Sequence, residues 1–211
     1  MTAPTNRQGD VTRARLIKTA ERMFAEQGVD AVSVRAVNAA AGLGAASVNY
    51  HFGTKADLLA AVLLDLGTAV RDGIRARTAV LAARPGPPTA QDLVDAVTEP
   101  YRELLRRHRT RGIRWVKIVA QMSTQNHPAL DDTEHDLRYE LLVQVRRAFP
   151  ATDPLRLERR WSVALMVFLQ GLSRAEEWNA RRGAVPSAGD LAEYLDDQVT
   201  FLAGGLAALL G

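Results

Sequence analysis

Cysteine is absent from this chain of 211 residues, and histidine occurs only 4 times. Without thiols, no disulfide scaffold, thiolate zinc site or cysteine nucleophile can form. So few imidazoles do not make a multi-histidine metal centre, and neither metal nor cofactor is expected. No uninterrupted apolar run approaches the roughly 18 residues of a membrane-spanning helix. The opening MTAPTNRQGDVT lacks the apolar core that a secretory signal carries. The expected setting is therefore cytoplasmic, with no membrane partner. Lysine is scarce too: Lys18, Lys55 and Lys117 stand among 27 basic side chains, the rest being arginine. Against 24 acidic residues, the net charge is only +3. An arginine excess suits paired contacts to phosphate or carboxylate oxygens, and it equally reflects genomic base composition. Charge alone does not name a partner.

Helix-forming sequence is what the chain has in quantity. Alanine and leucine recur throughout and favour helix by intrinsic propensity, whereas β-branched runs such as Val29 to Val34 are short. The expected fold class is all-α with about nine helices. The first runs from Thr12 to Gln27, capped by Asp10 or Thr12, with Leu16, Ile17, Ala20, Met23 and Phe24 on its inner face. Ser33 caps a second, Val34 to Ala41, and Gly42 ends it. A third spans Ala45 to His51, and Thr54 caps a fourth from Lys55 to Ala82. Three prolines and a glycine in ARPGPP (83–88) then forbid helix continuation. Thr89 caps a helix to Arg107. Others cover Arg111 to Thr124, Asp131 to Phe149, Pro154 to Arg182 and Ser187 to Leu210, the last two separated by Gly183 to Pro186. The expected division is a 1–58 domain, ordered from about residue 10, and a 59–211 domain.

The three short N-terminal helices, the last two joined tightly at AGLG (41–44), describe a helix-turn-helix unit. Ala39, Ala40 and Ala41 are small enough for close helix crossing, and Gly42 gives the turn its backbone freedom. Val37, Leu43, Val48 and Phe52 are expected inside. Ala45, Ala46, Ser47, Asn49, Tyr50 and His51 are left on or near the outer surface, and small side chains at that end suit entry into a DNA major groove.

The stretch AGLGAASVNYHFGTKADLL (41–59), preceded by TRARLIKTAERMFAEQGVDAVSVRAV (12–37), resembles the helix-turn-helix signature of the TetR family. That resemblance implies a homodimeric transcriptional regulator, usually a repressor, that leaves a double-stranded operator when a small molecule binds. It also implies that Ser33 and Arg35 approach backbone phosphate, that Ala45, Ala46, Ser47 and Asn49 face base edges, and that Tyr50, His51 and Lys55 contact phosphates. Gly44 departs from the pattern, because the family usually carries a capping Ser or Thr there. Arg7, Arg13, Arg15 and Lys18, before and along the first helix, could form a flexible arm to DNA backbone or minor groove; the plainer alternatives are that group as a solvated face, Tyr50 as a packing residue and His51 as an ordinary surface or cap residue.

In the second half, a dimer four-helix bundle would bury Trp161, Leu165, Leu169, Leu195, Val199, Leu202 and Leu206; burial within one chain is the alternative. Candidate pocket residues are Trp115, Ile118, Val119, Met122, Leu141, Val145, Met166 and Phe168, with Gln121, Gln125, His127 and Gln170 as polar neighbours. Such a lining suits an apolar effector with one polar end. The wording AASVNYHFG resembles the branch of the family that answers to fatty acids or their coenzyme A esters, which implies a fatty acyl-type ligand. An arginine run (Arg102, Arg106, Arg107, Arg109, Arg111, Arg114) could hold an anionic head group or form a solvated or salt-bridged helix face. An enzyme is disfavoured: no phosphate-binding glycine loop, nucleophile elbow or His-Glu-x-x-His helix is present. No catalytic residue is expected. A helical protein-interaction module would leave the pattern of residues 33–55 unexplained.

Overall fold

The computed structural model describes residues 7–125, 127–180 and 188–210, and among them there are ten helices and no strand. The order is α1 (Arg7–Gln27), α2 (Val34–Ala40), α3 (Ser47–Phe52), α4 (Lys55–Ala83), α5 (Ala90–Arg107), α6 (Arg109–Thr124), α7 (Pro128–Ala148), α8 (Pro154–Ser173), α9 (Ala175–Ala180) and α10 (Ala188–Leu210). The chain divides into two compact units, Met1–Gly67 and Thr68–Gly211, so the division falls inside α4 rather than near its start.

The first unit has a core in which the α1 stripe Leu16, Ile17, Ala20, Met23 and Phe24 is buried together with Val37, Val48, Leu58 and Val62. Helix α1 begins earlier than expected. Thr12 donates its hydroxyl to the Gln8 carbonyl at 2.9 Å, which places it inside the helix instead of at its cap. Leu43 and Phe52, expected inside, are half-buried. The turn residue Gly42 has φ +63°, a left-handed conformation that suits glycine.

In the second unit, Thr89 and Asp92 form a reciprocal capping box at the start of α5. Those hydrogen bonds, with the Arg84 guanidinium 2.7 Å away, hold the Asp92 carboxyl down at about 2 from its ordinary 3.8. Arg147 of α7 donates to the carbonyls of Leu81, Arg84 and Gly86 at 3.0, 3.1 and 2.8 Å, satisfying acceptors in the last turn of α4 and the loop after it. Gly73 lets α4 and α5 cross closely, since a Cβ there would lie 3.1 Å from the Pro100 ring.

The helix expected from Pro154 to Arg182 is interrupted. Arg174 closes α8 with its N–H on the Gly171 carbonyl at 3.0 Å, a carbonyl that also accepts the Tyr194 hydroxyl at 2.9 Å. Ser173 donates back to Gln170 at 2.8 Å, another local bond that competes with helix continuation. The remaining stretch to Ala180 is the separate α9. The expected Arg182 end, the Gly183 to Pro186 break and the Ser187 cap lie outside the described residues.

Candidate nucleic-acid interface

Ser33 sits at the N-cap of α2 in extended conformation, its Oγ accepting the Ala36 N–H at 3.1 Å. The hydroxyl proton remains available to an acceptor such as a phosphate oxygen. Arg35, the second residue of α2, is exposed. The chain then turns at Gly42, where a Cβ would lie 3.1 Å from Arg15 Nη2, so α1 brings a guanidinium to the back of the turn.

Helix α3 is shorter at its start than the spacing suggested. Ala45 and Ala46 form a turn, closed by the Ser47 N–H on the Gly44 carbonyl at 3.0 Å, and the helix proper begins at Ser47. Gly44 offers no side-chain hydroxyl that could cap an earlier start. Ala45, Ala46 and Asn49 are exposed, Ser47 is half-buried, and Val48 lies fully inside. Tyr50 is 82% exposed, which removes the packing alternative for its ring. His51 is half-buried beside it, the two rings meeting edge to face at 5.0 Å. Arg13 of α1 lies over the Phe52 ring at 5.0 Å, a cation–π contact at the far end of the same helix.

Thr54 and Asp57 close a reciprocal cap at the start of α4. The Thr54 N–H and hydroxyl reach Asp57 Oδ2 at 3.1 and 2.6 Å, and the Asp57 N–H returns to Thr54 Oγ1 at 3.1 Å. Lys55 donates to the Asp30 carbonyl at 3.3 Å, which steadies its ammonium while leaving it half-exposed. The nine expected contact residues between Ser33 and Lys55 are therefore carried by two short helices, the turn between them and one helix start.

A further residue of this region, Asn38, carries no local motif that marks its role. Asn38, 1% exposed, accepts the Val48 N–H on Oδ1 at 3.0 Å and donates from Nδ2 to the Ala45 carbonyl at 2.6 Å. Its signal was the single polar side chain in the inner stripe between Val37 and Ala41.

The second unit redirects two other expectations. Trp115, Ile118, Val119, Met122, Leu141 and Val145 are buried core, and Met166 is 46% exposed. Of the expected pocket residues, only Phe168 lines a small cleft between α5, α8 and α10, whose free volume of about 10 Å³ admits a single water-sized sphere. Its walls include Val94, Val97 and Thr98, together with Trp161, Leu165, Leu202 and Leu206, four residues expected at a dimer interface. Trp161, Leu195, Val199, Leu202 and Leu206 are buried within one chain, and Leu165 and Leu169 half-buried, because α8 and α10 pack on each other and on α5 and α6. The outward apolar residues of these helices are instead Leu155, Val163, Met166, Val167, Phe201 and Leu209. Of the arginine run, Arg102 pairs with Glu99 at 2.9 Å and Asp196 at 2.8 Å, while Arg106 and Arg107 are exposed. Gln170 bonds the Ala120 carbonyl and Thr124 hydroxyl, tying α8 to α6.

The profile described as "Bacterial regulatory proteins, tetR family" matches residues 16–62. A second, "Tetracyclin repressor-like, C-terminal domain", matches residues 95–205. The chain is 25% identical to the HTH-type transcriptional regulator TtgR of Pseudomonas putida, over 96% of each chain. Among solved structures it resembles NalD, the secondary repressor of the MexAB-OprM multidrug efflux pump in Pseudomonas aeruginosa, with TM-score 0.54, 22% identity and coverage of 92% of this chain and 96% of that one. It also resembles the fatty acid degradation regulator FadR of Bacillus halodurans, with TM-score 0.59, 16% identity and 98% coverage of both.

Proposed function

Since this chain belongs to the TetR family of bacterial regulatory proteins, we propose that it is a homodimeric repressor whose Ser33–Lys55 tract reads a pseudo-palindromic operator. As a member of that family it is a DNA-binding transcriptional regulator rather than an enzyme. The observation that carries the operator reading is the two-sidedness of α3: Val48 is fully buried while Asn49 and Tyr50 face outward beside Ala45 and Ala46. A helix presented this way can descend into a major groove, and its alanines bring few hydrogen-bonding groups to base edges. Ser47 and Asn49 supply the polar readout, while thymine methyl contacts and DNA shape supply the rest. Ser33, Arg35, Tyr50, His51 and Lys55 hold phosphates on either side.

The second copy supplies cover for the outward apolar residues of α8 and α10. Phe201 and Leu155 are 70% and 78% exposed, and a paired four-helix bundle would bury both. The effector reading rests on the cleft between α5, α8 and α10, where the buried Thr98 hydroxyl has no hydrogen-bond partner among otherwise apolar walls. A largely apolar molecule with one polar group, a fatty acyl chain for instance, matches the chemistry of this lining, and α5, α8 and α10 must part to admit it. Such an effector releases operator by binding more tightly to one arrangement of the two reading heads. A thermal-shift screen of the full chain against acyl chains, antibiotics and flavonoids tests this directly. Stabilisation by an apolar ligand, reduced in Thr98→Val, supports the cleft; stabilisation unchanged in that variant sends the effector elsewhere.

A further inference from the structure

Helix α3 starts without a side-chain cap of its own. Gly44 offers no hydroxyl, and Ala46 at the boundary makes no capping hydrogen bond. Yet Val48 lies at 0% exposure, and a buried N–H left without an acceptor is costly. The acceptor comes from another helix. Asn38 of α2 places Oδ1 3.0 Å from the Val48 nitrogen and Nδ2 2.6 Å from the Ala45 carbonyl, while its own main-chain carbonyl accepts the Leu43 N–H at 3.0 Å. Three bonds from one residue thus fasten the segment from Leu43 to Val48. Only an amide of this length serves: aspartate lacks the donor for Ala45, and leucine lacks both groups.

The geometry points to Asn38 as a positioning residue for base readout, setting the register of Ala45, Ser47 and Asn49 against α2 without touching DNA itself. The inference rests on the operator-reading role of α3. Phosphate attraction is diffuse and tolerates a small displacement of the helix, whereas hydrogen bonds to base edges are directional. Loosening α3 should therefore weaken binding to the cognate site more than binding to arbitrary duplex. Stabilising the fold in general would move both equally.

The test compares the full chain and three variants on two duplexes of equal length, one recovered by selection from a random pool and one scrambled, at several salt concentrations. Asn38→Ala should lower the cognate-to-scrambled affinity ratio by about tenfold, with the salt slope of scrambled binding unchanged. Adding Gly44→Ser to Asn38→Ala should recover most of the ratio, because a hydroxyl there can cap the segment from its own side; a Cβ at Gly44 meets only Ser47 Oγ, at 4.0 Å. Should Asn38→Ala fail to fold, Asn38→Ser, too short to reach both partners, reads the same effect. An unchanged ratio, an equal loss on both duplexes, or no recovery on adding Gly44→Ser overturns the inference. A wild-type chain that selects no duplex refutes the operator reading instead, so the two failures are separable.

Discussion

Single side chains decide what α3 can recognise, and they separate two kinds of contact. Lys55 carries a compact charge steadied by the Asp30 carbonyl. Lys55→Ala is expected to weaken binding to cognate and scrambled duplexes alike and to shallow the slope of log K against log salt by about 0.9, read by fluorescence anisotropy across a salt series. Ser47→Ala should leave that slope alone and change preference among related sites, measured by competition with single-base variants. The outward set was legible because period and residue size show it: Val48 marks the inside and Asn49 and Tyr50 the outside. Asn38 was not legible, since nothing local says that its amide will meet a main-chain N–H ten positions away. Gly44 lacks the capping hydroxyl, and Asn38 supplies hydrogen bonds to the same segment from across the turn.

Helices were legible wherever a cap or a breaker marked them. Thr89 and Gly42 fall where the sequence places them, and α5 ends at Arg107 as expected. The misplaced ends have local chemical causes: the Thr12 hydroxyl bonds back into α1, and the Gly171 carbonyl turns to Tyr194 and Arg174. The α5 cap predicts a pH signature. Because the folded Asp92 carboxyl titrates near 2 and its ordinary value is 3.8, its contribution is complete above the higher value and disappears as pH falls through the lower. The difference in melting temperature between wild type and Asp92→Asn should therefore be constant from pH 7 to about 5, shrink below about 4 and close near 2. Arg147→Met, which frees three carbonyls in the last turn of α4 and the loop after it, should cost about 2–3 kcal/mol in urea unfolding.

Assembly was the least legible property, because a hydrophobic stripe does not say whether its own chain or a second copy will cover it. Trp161 and Leu206 carried the same apolar signal as Phe201, but α5 and α6 pack against the first pair's helices and leave Phe201 outside. Phe201→Asp should shift sedimentation from dimer toward monomer and reduce operator affinity about tenfold or more, while leaving the far-ultraviolet circular dichroism spectrum of the helices unchanged. At this scale the proposal is that residues 33–55 of two copies form a paired DNA-reading head. The most direct trial is enrichment of a random duplex pool by the full chain. The account predicts a recovered motif with two inverted half-sites whose centres lie about 34–36 Å apart or a multiple of it, lost on replacing Ser47 and Asn49 together by alanine. Recovery of no motif, or of one without inverted symmetry, would contradict it.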